Sequence, residues 1–212
     1  MASRADRFFV PDLSPSAHPE LGVPRLLFVA ESPHVSEVEP AARAARRPLC
    51  GAAGRVWWSA LSELLEGAAD DDVSLDHLRT FCRKHRIAVL NAVQQPLDQK
   101  IVRTFPDADP RRTLGFDKGP GEHHYKKQKG EPALARILKS LRARLETPEL
   151  AKVPVYSLGL DAEWFLRQAL GPEEFSRRVR GRIPHPSAWW RRGGHFGRVA
   201  RTELAGLLAP PA

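Results

Sequence analysis

The sequence predicts an α/β protein of three layers, in which helices cover both faces of a central parallel sheet of about four strands. Short apolar runs alternate along the chain with segments whose apolar residues recur at helical spacing. The runs are apolar at consecutive positions, which is typical of strands buried on both faces of a parallel sheet. No internal repeat or linker divides the chain, so we expect an N-terminal arm over residues 1–24 and one domain over residues 25–208.

The first predicted strand covers residues 26–30, an unbroken apolar run that ends in the polar turn Glu31-Ser32-Pro33-His34. Further strands are expected at residues 87–90, 153–159 and 180–183. Helices are expected at about 55–65, from an N-cap at Ser74 to His85, at 132–145, from an N-cap at Asp161 to Leu170, and at 195–208. The arm should pack on the surface. Residues 95–131 have no clear period and predict a long loop.

The composition is that of a globular protein, with 42% hydrophobic and 27% charged residues among 212. No apolar run approaches the roughly 20 residues of a membrane span, so no membrane partner is expected. Two cysteines, Cys50 and Cys82, argue against a disulfide framework and cannot supply a four-cysteine zinc or iron–sulfur site. The adjacent His123 and His124 lack a spaced third ligand, so no metal is expected. These features predict a cytoplasmic monomer without a cofactor.

The net charge of +8 comes from an excess of arginine that is unevenly spread. Residues 177–201 contain eight arginines and neither Asp nor Glu. The planar guanidinium suits phosphate oxygens, and such a segment is typical of nucleic-acid binding. Lys126, Lys127 and Lys129 in the long loop could also touch a phosphate backbone. The alternative is a solvated surface in a chain that favours arginine throughout.

Three polar segments follow predicted strands and should meet at the carboxyl edge of the sheet, where open α/β sheets bind ligands. They are residues 31–34, Asn91, and His185-Pro186-Ser187. An Asn amide offers donors and an acceptor side by side, as the edge of a nucleobase does. A neutral His can donate to a leaving base, while a carboxylate orients water and opposes positive charge on the sugar. Trp189 could fill the gap left by an extruded nucleotide, so the parts together indicate base-flipping glycosidic cleavage.

In order and spacing, these motifs resemble the uracil-DNA glycosylase superfamily over about residues 25–205. The first motif of that family is a strand followed by G-Q-D-P-Y-H, G-x-N-P-G or G-E-x-P-G in different branches, and its second motif is H-P-S. Other family elements read P-F-x-G-x-A-G, L-N-x-V and V-x-x-L-G. The matching segments here are Ala30-Glu31-Ser32-Pro33-His34, His185-Pro186-Ser187, Pro48 to Gly54, Leu90-Asn91-Ala92-Val93 and Val155 to Gly159.

The resemblance implies roles at the matching positions. Asn91 would read the base and His185 would steady it as it departs. Leu49 stands where an aromatic residue usually stacks on the base, and Trp189 falls near the intercalating wedge. The DNA contacts would come from Ser187, Trp189, Arg191 and Arg192.

The first motif departs from the branches that it resembles. Ser32 occupies the position of a water-activating Asp or Asn, so Glu31 becomes the candidate for orienting water, with Ser32 beside it. His34 stands where a Tyr or Gly shapes the base pocket in other branches. The cysteines that hold an iron–sulfur cluster in some branches are absent. These changes point to uracil or another base, for example a hypermodified phage base removed in antiviral defence.

The expected activity is that of a monofunctional DNA glycosylase, since the motif loops carry no lysine for a Schiff base. The expected partner is DNA, bound through its phosphates and one flipped base. Two alternatives stay open. One is a catalytically weak, DNA-binding member of the superfamily, and the other is a hydrolase of free nucleotides.

Overall fold

A computed structural model describes residues 7–39, 42–115 and 132–209 of the chain, without the side chains of Arg43 and Arg192. Its centre is a sheet of four parallel strands in the order β2-β1-β3-β4, which confirms the predicted fold class. The strands are β1 (Leu26–Ala30), β2 (Ile87–Asn91), β3 (Val155–Leu158) and β4 (Val179–Ile183). Every residue of the first three is buried, as their unbroken apolar runs predicted, whereas β4 alternates between half-buried and exposed residues before the buried Ile183.

Seven α-helices lie in the described part of the chain, together with short 3-10 turns. They are α1 (Val35–Val38), α2 (Ala52–Glu66), α3 (Leu75–His85), α4 (Pro110–Thr113), α5 (Pro132–Leu145), α6 (Leu160–Arg178) and α7 (Arg191–Leu208). Ser74 caps α3 by accepting from the His77 N–H, as predicted. The prediction for Asp161 is wrong: the N-cap of α6 is Gly159, and Asp161 lies in the first turn. Helix α6 continues past the predicted end, with a break at Gly171.

The helices form a layer on each face of the sheet. On one face Phe28 of β1 belongs to a hydrophobic cluster that includes Trp57 of α2, Phe81 of α3 and Leu204 of α7. On the other face, residues such as Leu27 are covered by α5 and α6. The two hydrophobic clusters make the three-layer arrangement.

The N-terminal segment is more deeply packed than the predicted surface arm. Val10 and Leu13 are fully buried, and Leu13 exchanges backbone hydrogen bonds of 2.8 and 2.9 Å with Val89 of β2. This antiparallel bridge covers the free edge of β2, and a further bond from the Val10 N–H to the Gln94 carbonyl extends the contact. The prediction that this segment lies only on the surface is therefore wrong.

The predicted long loop is partly helical where the structure describes it. Residues Gln99–Arg103 and Pro106–Ala108 form 3-10 turns that lead into α4. Asp98 and Asp109 stabilise the first and the last of these helical turns by accepting from backbone N–H groups two residues ahead. The histidines and lysines singled out at positions 123–129 lie outside the described residues. None of the helices in the described ranges has both the length and the apolar character that crossing a membrane requires.

Candidate active site

A cavity of about 500 Å³ lies beyond the carboxyl ends of β1, β3 and β4. The chain leaves β1 for β2 on one side and later reaches β3 on the other, so the winding direction reverses between β1 and β3. Open α/β sheets bind ligands at such a switch point, and the volume is in the range of small-molecule sites. The cavity walls include Glu31, Gly159, Arg182, His185, Ser187 and Arg191.

His185 is held against the end of β3. The Gly159 N–H donates to the Ile183 carbonyl at 2.9 Å, which joins the ends of β3 and β4. Gly159 has a φ of 92°, and a Cβ there would lie 2.9 Å from the His185 Cβ. Only glycine meets both requirements, so the V-x-x-L-G element serves to seat the histidine.

The His185 ring has a defined hydrogen-bonding state. Its Nδ1 accepts from the Ser187 N–H at 3.2 Å and lies 2.7 Å from the Ser187 Oγ. Because Nδ1 is an acceptor, the neutral ring carries its proton on Nε2. The H-P-S motif thus gives a wall of the cavity a neutral imidazole with a donor N–H.

The turn after β1 brings Glu31 to the wall of the same cavity. Glu31 is half-buried, and its backbone carbonyl accepts from the Val93 N–H at 2.9 Å. The Ala30 carbonyl accepts from the Ala92 N–H at 2.7 Å. The residues that follow β2 therefore fix the turn that follows β1. Ser32 is half-buried and His34 is exposed, with its Nδ1 3.3 Å from the Ser36 Oγ. Within the described residues, neither of these two side chains lines the cavity.

Leu49 and Asn91, which the sequence assigned to base binding, are buried at 5% and 1% exposure. Leu49 has a φ of 57°, a left-handed conformation that is unfavourable for a leucine. Its carbonyl accepts from the Trp58 indole at 3.0 Å, and a Cβ on Gly54 would collide with that carbonyl at 1.8 Å. The turn before α2 is therefore locked against the first turns of that helix, with Leu49 facing the interior.

Glu37 is a buried acid that sequence reasoning missed. Its carboxylate accepts from the backbone N–H groups of His34 and Leu49 and from the Asn91 Nδ2, which lies 3.4 Å away. Burial raises the pKa of Glu37 to about 8, despite these hydrogen bonds and the nearby Arg47 guanidinium. His34 is the N-cap of α1, and Glu37 follows it by three residues. Glu37 therefore stands at the acidic position of a capping box. That spacing is the available sequence signal, because a four-residue helix is too short for periodicity to mark its buried side.

A second buried group fixes the end of β2. Arg144 of α5 donates to Asp12 and to the carbonyls of Asn91 and Ala92, each at 2.8 Å. Asp12 in turn accepts from the Asn91 N–H at 3.2 Å and from Gln94 at 3.1 Å. Burial raises the pKa of Asp12, and the Arg144 guanidinium works in the opposite direction. These contacts fix the backbone of Asn91, while Glu37 contacts its side chain.

The predicted wedge residue is not at the surface. Trp189 is only 4% exposed, and its indole N–H donates to the Pro184 carbonyl at 2.9 Å. Gly197 of α7 comes so close that a Cβ on it would lie 3.1 Å from the Trp189 carbonyl oxygen, and this approach keeps the tryptophan against the helix. The prediction that Trp189 enters DNA is wrong for this conformation. Its neighbour Trp190 is 60% exposed and stands directly before α7.

The arginine-rich segment is less free than its sequence indicates. Arg182 pairs with Glu163 at 2.6 Å, and Arg177 pairs with Glu174 at the same distance. Arg178 is buried and donates to the carbonyls of Leu145 and Leu150. The exposed arginines include Arg180, Arg191 and Arg198. The Arg192 side chain lies outside the description, so its predicted DNA contact stays a prediction.

Comparison with known proteins adds no relative. No protein-family profile matches the chain, and no characterised protein is significantly similar to it. In the described ranges, no three His, Cys, Asp or Glu side chains come together as metal ligands would. The cavity walls bring together a glutamate, a histidine and two arginines.

Proposed function

We propose that this protein is a monofunctional DNA glycosylase, which extrudes a base from DNA and hydrolyses its N-glycosidic bond to leave an abasic site. The observation that carries the proposal is the presence of Glu31 and His185 in the walls of one cavity at the switch point of the sheet. The motif resemblance supports the same activity. The base is uracil or a modified relative, and the setting is DNA repair or defence against phage in the cytoplasm.

In this mechanism the two groups act on opposite parts of the substrate. The Glu31 carboxylate orients a water and opposes the positive charge that develops on the sugar as the bond breaks. The His185 Nε2–H donates to the oxygen on which negative charge accumulates in the leaving base. Ser32 has no catalytic role in this mechanism, because it lies outside the cavity walls and a serine hydroxyl is not a base at neutral pH.

The proposed DNA contacts extend from the cavity along the surface. Arg191 in the cavity wall and Arg180 near the start of β4 are exposed and can bind phosphate, while Trp190 provides a flat apolar side chain at the surface. Trp190 therefore replaces Trp189 as the candidate for stacking on, or inserting beside, the extruded nucleotide. Binding through these arginines should weaken as salt rises, because counterions are released from the phosphates.

The test is incubation with oligonucleotides that contain uracil, hypoxanthine or modified cytosines, followed by alkali to cut abasic sites. We expect scission of at least one substrate, and a loss of on the order of 100-fold in rate for His185→Ala and for Glu31→Gln. The matched control is His77→Ala on α3, which pairs with Asp70 and does not line the cavity. Absence of scission on every substrate would reject the proposal.

A hydrolase of free nucleotides is a second candidate, which the partnered arginines and the buried Trp189 favour. The two candidates differ in their need for a polymer. Parallel reactions with free deoxynucleotides, monitored by release of the base, separate them. Release from nucleotides without scission of oligonucleotides would support this second candidate. Binding of oligonucleotides without any cleavage would instead identify a catalytically weak, DNA-binding member.

A further inference from the structure

A second cavity lies beyond the carboxyl end of β2, beside α5. Its volume is about 260 Å³, which is close to the lower limit of small-molecule sites. Its walls come from residues 92–95 after β2, from α5, from the end of α4 and from Phe9 of the N-terminal segment. No described residue lines both this cavity and that of the proposed active site, so the two are separate.

Helix α5 turns one stripe of its surface toward the second cavity. The residues of this stripe are Ala133, Arg136, Ile137, Ser140 and Arg144. Their spacing of three and four positions is that of neighbours on one side of a helix. The two apolar members of the stripe are buried, whereas Arg136 and Ser140 are exposed. The sequence of α5 therefore gives this cavity an apolar base with polar groups nearer to solvent.

The second cavity carries one arginine charge that its walls do not balance. Arg144 forms a 2.8 Å ion pair with the buried Asp12, and Arg142, which does not line the cavity, pairs with Glu146. Arg136 forms no ion pair within the described ranges, and no Asp or Glu of those ranges stands in the cavity wall. The planar donor fork of a guanidinium suits the oxygens of a phosphate or a carboxylate. The free charge of Arg136 is thus available to an anionic group in this cavity.

Apolar side chains form much of the remaining wall. Phe9, Val93, Leu114 and Ile137 line the cavity, and only Phe9 and Leu114 among them are partly exposed to solvent. Apolar walls with a few polar groups are typical of sites that bind small organic molecules. A ligand that matches these walls has an apolar body as well as a charged group.

We propose that the second cavity is a binding site for a small organic oxyanion, in which a phosphate or carboxylate is joined to an apolar body. Arg136 binds the charged group, and the apolar walls cover the rest of the molecule. The small volume of the cavity favours a free molecule over a strand of nucleic acid. The proposal does not depend on glycosidic cleavage, because it concerns a separate cavity.

The residues after β2 connect this cavity to the proposed active site. Residues 92–95 line the second cavity, and the Val93 N–H donates to the Glu31 carbonyl at 2.9 Å. The Ala92 N–H donates to the Ala30 carbonyl at 2.7 Å. A ligand in the second cavity would therefore contact the segment that holds the Glu31 turn, and the backbone amides of this segment report its binding.

Binding can be measured with three probes that share a ring and differ in the attached group: phenyl phosphate, benzoate and the uncharged benzyl alcohol. Each is titrated to about 10 mM into the ¹⁵N-labelled whole chain while the backbone amide signals are followed. We expect an anionic probe to shift the signals of Val93, Leu114 and Ser140, and the alcohol to bind at least about tenfold more weakly. The tighter of the two anions identifies the charged group as phosphate or carboxylate. Unmoved signals with both anions, or equal binding of the alcohol, would overturn the proposal.

Three variants test the role of Arg136, which is exposed and can be replaced without disturbing the core. Arg136→Gln should weaken binding of the anionic probe by about tenfold or more, because it removes a charge-assisted hydrogen bond. Lys139→Gln removes a positive charge from the same helix outside the cavity, and Arg191→Gln alters the wall of the other cavity. Both should keep the shifts of Val93, Leu114 and Ser140.

Two results would contradict this assignment. Similar losses in all three variants would mean that the anions respond to the overall charge of the protein and not to this cavity. An oligonucleotide with internal phosphates alone that shifts the same signals at lower concentration than phenyl phosphate would overturn the assignment to a small molecule.

Discussion

The Cβ of His185 lies so near to Gly159 that a methyl group on this glycine would approach it to 2.9 Å. The glycine also needs its left-handed backbone, with a φ of 92°, to start α6. The two motifs in which these residues stand, V-x-x-L-G and H-P-S, are separated along the chain by α6 and β4 but act as one unit. The identity of residue 159 therefore determines where the imidazole points.

Gly159→Ala should damage the site more than the fold. The substitution adds backbone strain of about 1–2 kcal/mol and pushes the His185 loop away from β3. Gly67→Ala is the control, because Gly67 has a φ of 76° at the end of α2 with nothing within 4 Å. Thermal unfolding should show similar losses in both variants, whereas cleavage by the proposed glycosylase should fall in Gly159→Ala alone. Equal activities would mean that the contact does not position His185.

Glu37 should make the protein less stable as pH rises. The folded pKa of about 8 lies above the ordinary value of 4.5, so the folded state binds more protons between these values. Its favourable contribution is complete below about pH 4.5 and is lost as pH rises through 8, on the order of 5 kcal/mol in total. Denaturant unfolding at several pH values should show this loss in the wild-type protein. The difference in free energy of unfolding between the wild-type protein and Glu37→Gln separates the effect of Glu37 from that of Asp12. A difference that stays constant over this pH range would contradict the prediction.

Arg144→Met should be strongly destabilising, because it leaves Asp12 buried without its partner. Removing one member of a buried pair costs about 3–5 kcal/mol. Arg142→Met is the control on the same helix, since Arg142 forms an exposed pair with Glu146 at 2.7 Å that is worth less than about 1 kcal/mol. The loss in Arg144→Met should shrink at low pH, where Asp12 becomes protonated. Urea unfolding of both variants measures these differences.

Substitutions at the two adjacent tryptophans should have different effects, one on stability and the other on DNA binding. Trp189→Ala removes a buried ring and should cost about 3–5 kcal/mol of stability. Trp190→Ala should leave stability nearly unchanged and weaken DNA binding by about 1–3 kcal/mol if the exposed ring stacks on a base. Thermal unfolding and fluorescence anisotropy with a labelled oligonucleotide measure the two effects. Unchanged affinity in Trp190→Ala would remove this residue from the interface.

The parts of the fold that were predictable are those in which consecutive residues carry the signal. The apolar run of β1 and the helical spacing of α5 each identify an element without knowledge of the rest of the chain. The polar residues that follow a strand, such as Glu31, are predictable in position because parallel strands end at one edge of the sheet.

The groups that were missed depend on contacts between distant segments. Nothing near Leu13 shows that it will meet Val89, and nothing near Glu37 shows that it will meet Asn91. For Trp189 and Trp190, neighbouring positions in the same loop have opposite exposures, which packing against α7 decides. Sequence patterns identify the chemistry available at this edge, but the fold determines which of these groups remain accessible.

The N-terminal segment also bears on how the chain folds during its synthesis. Asp12 and Arg144 are 132 positions apart, and Val89 is made long after Leu13. The segment therefore leaves the ribosome well before Val89 and Arg144 are synthesised, and its apolar residues stay exposed until then. Docking of this segment is expected to be a late step that requires β2 and α5, and such long-range closure makes folding slow. A chaperone that binds the emerging segment would protect the nascent chain during that interval.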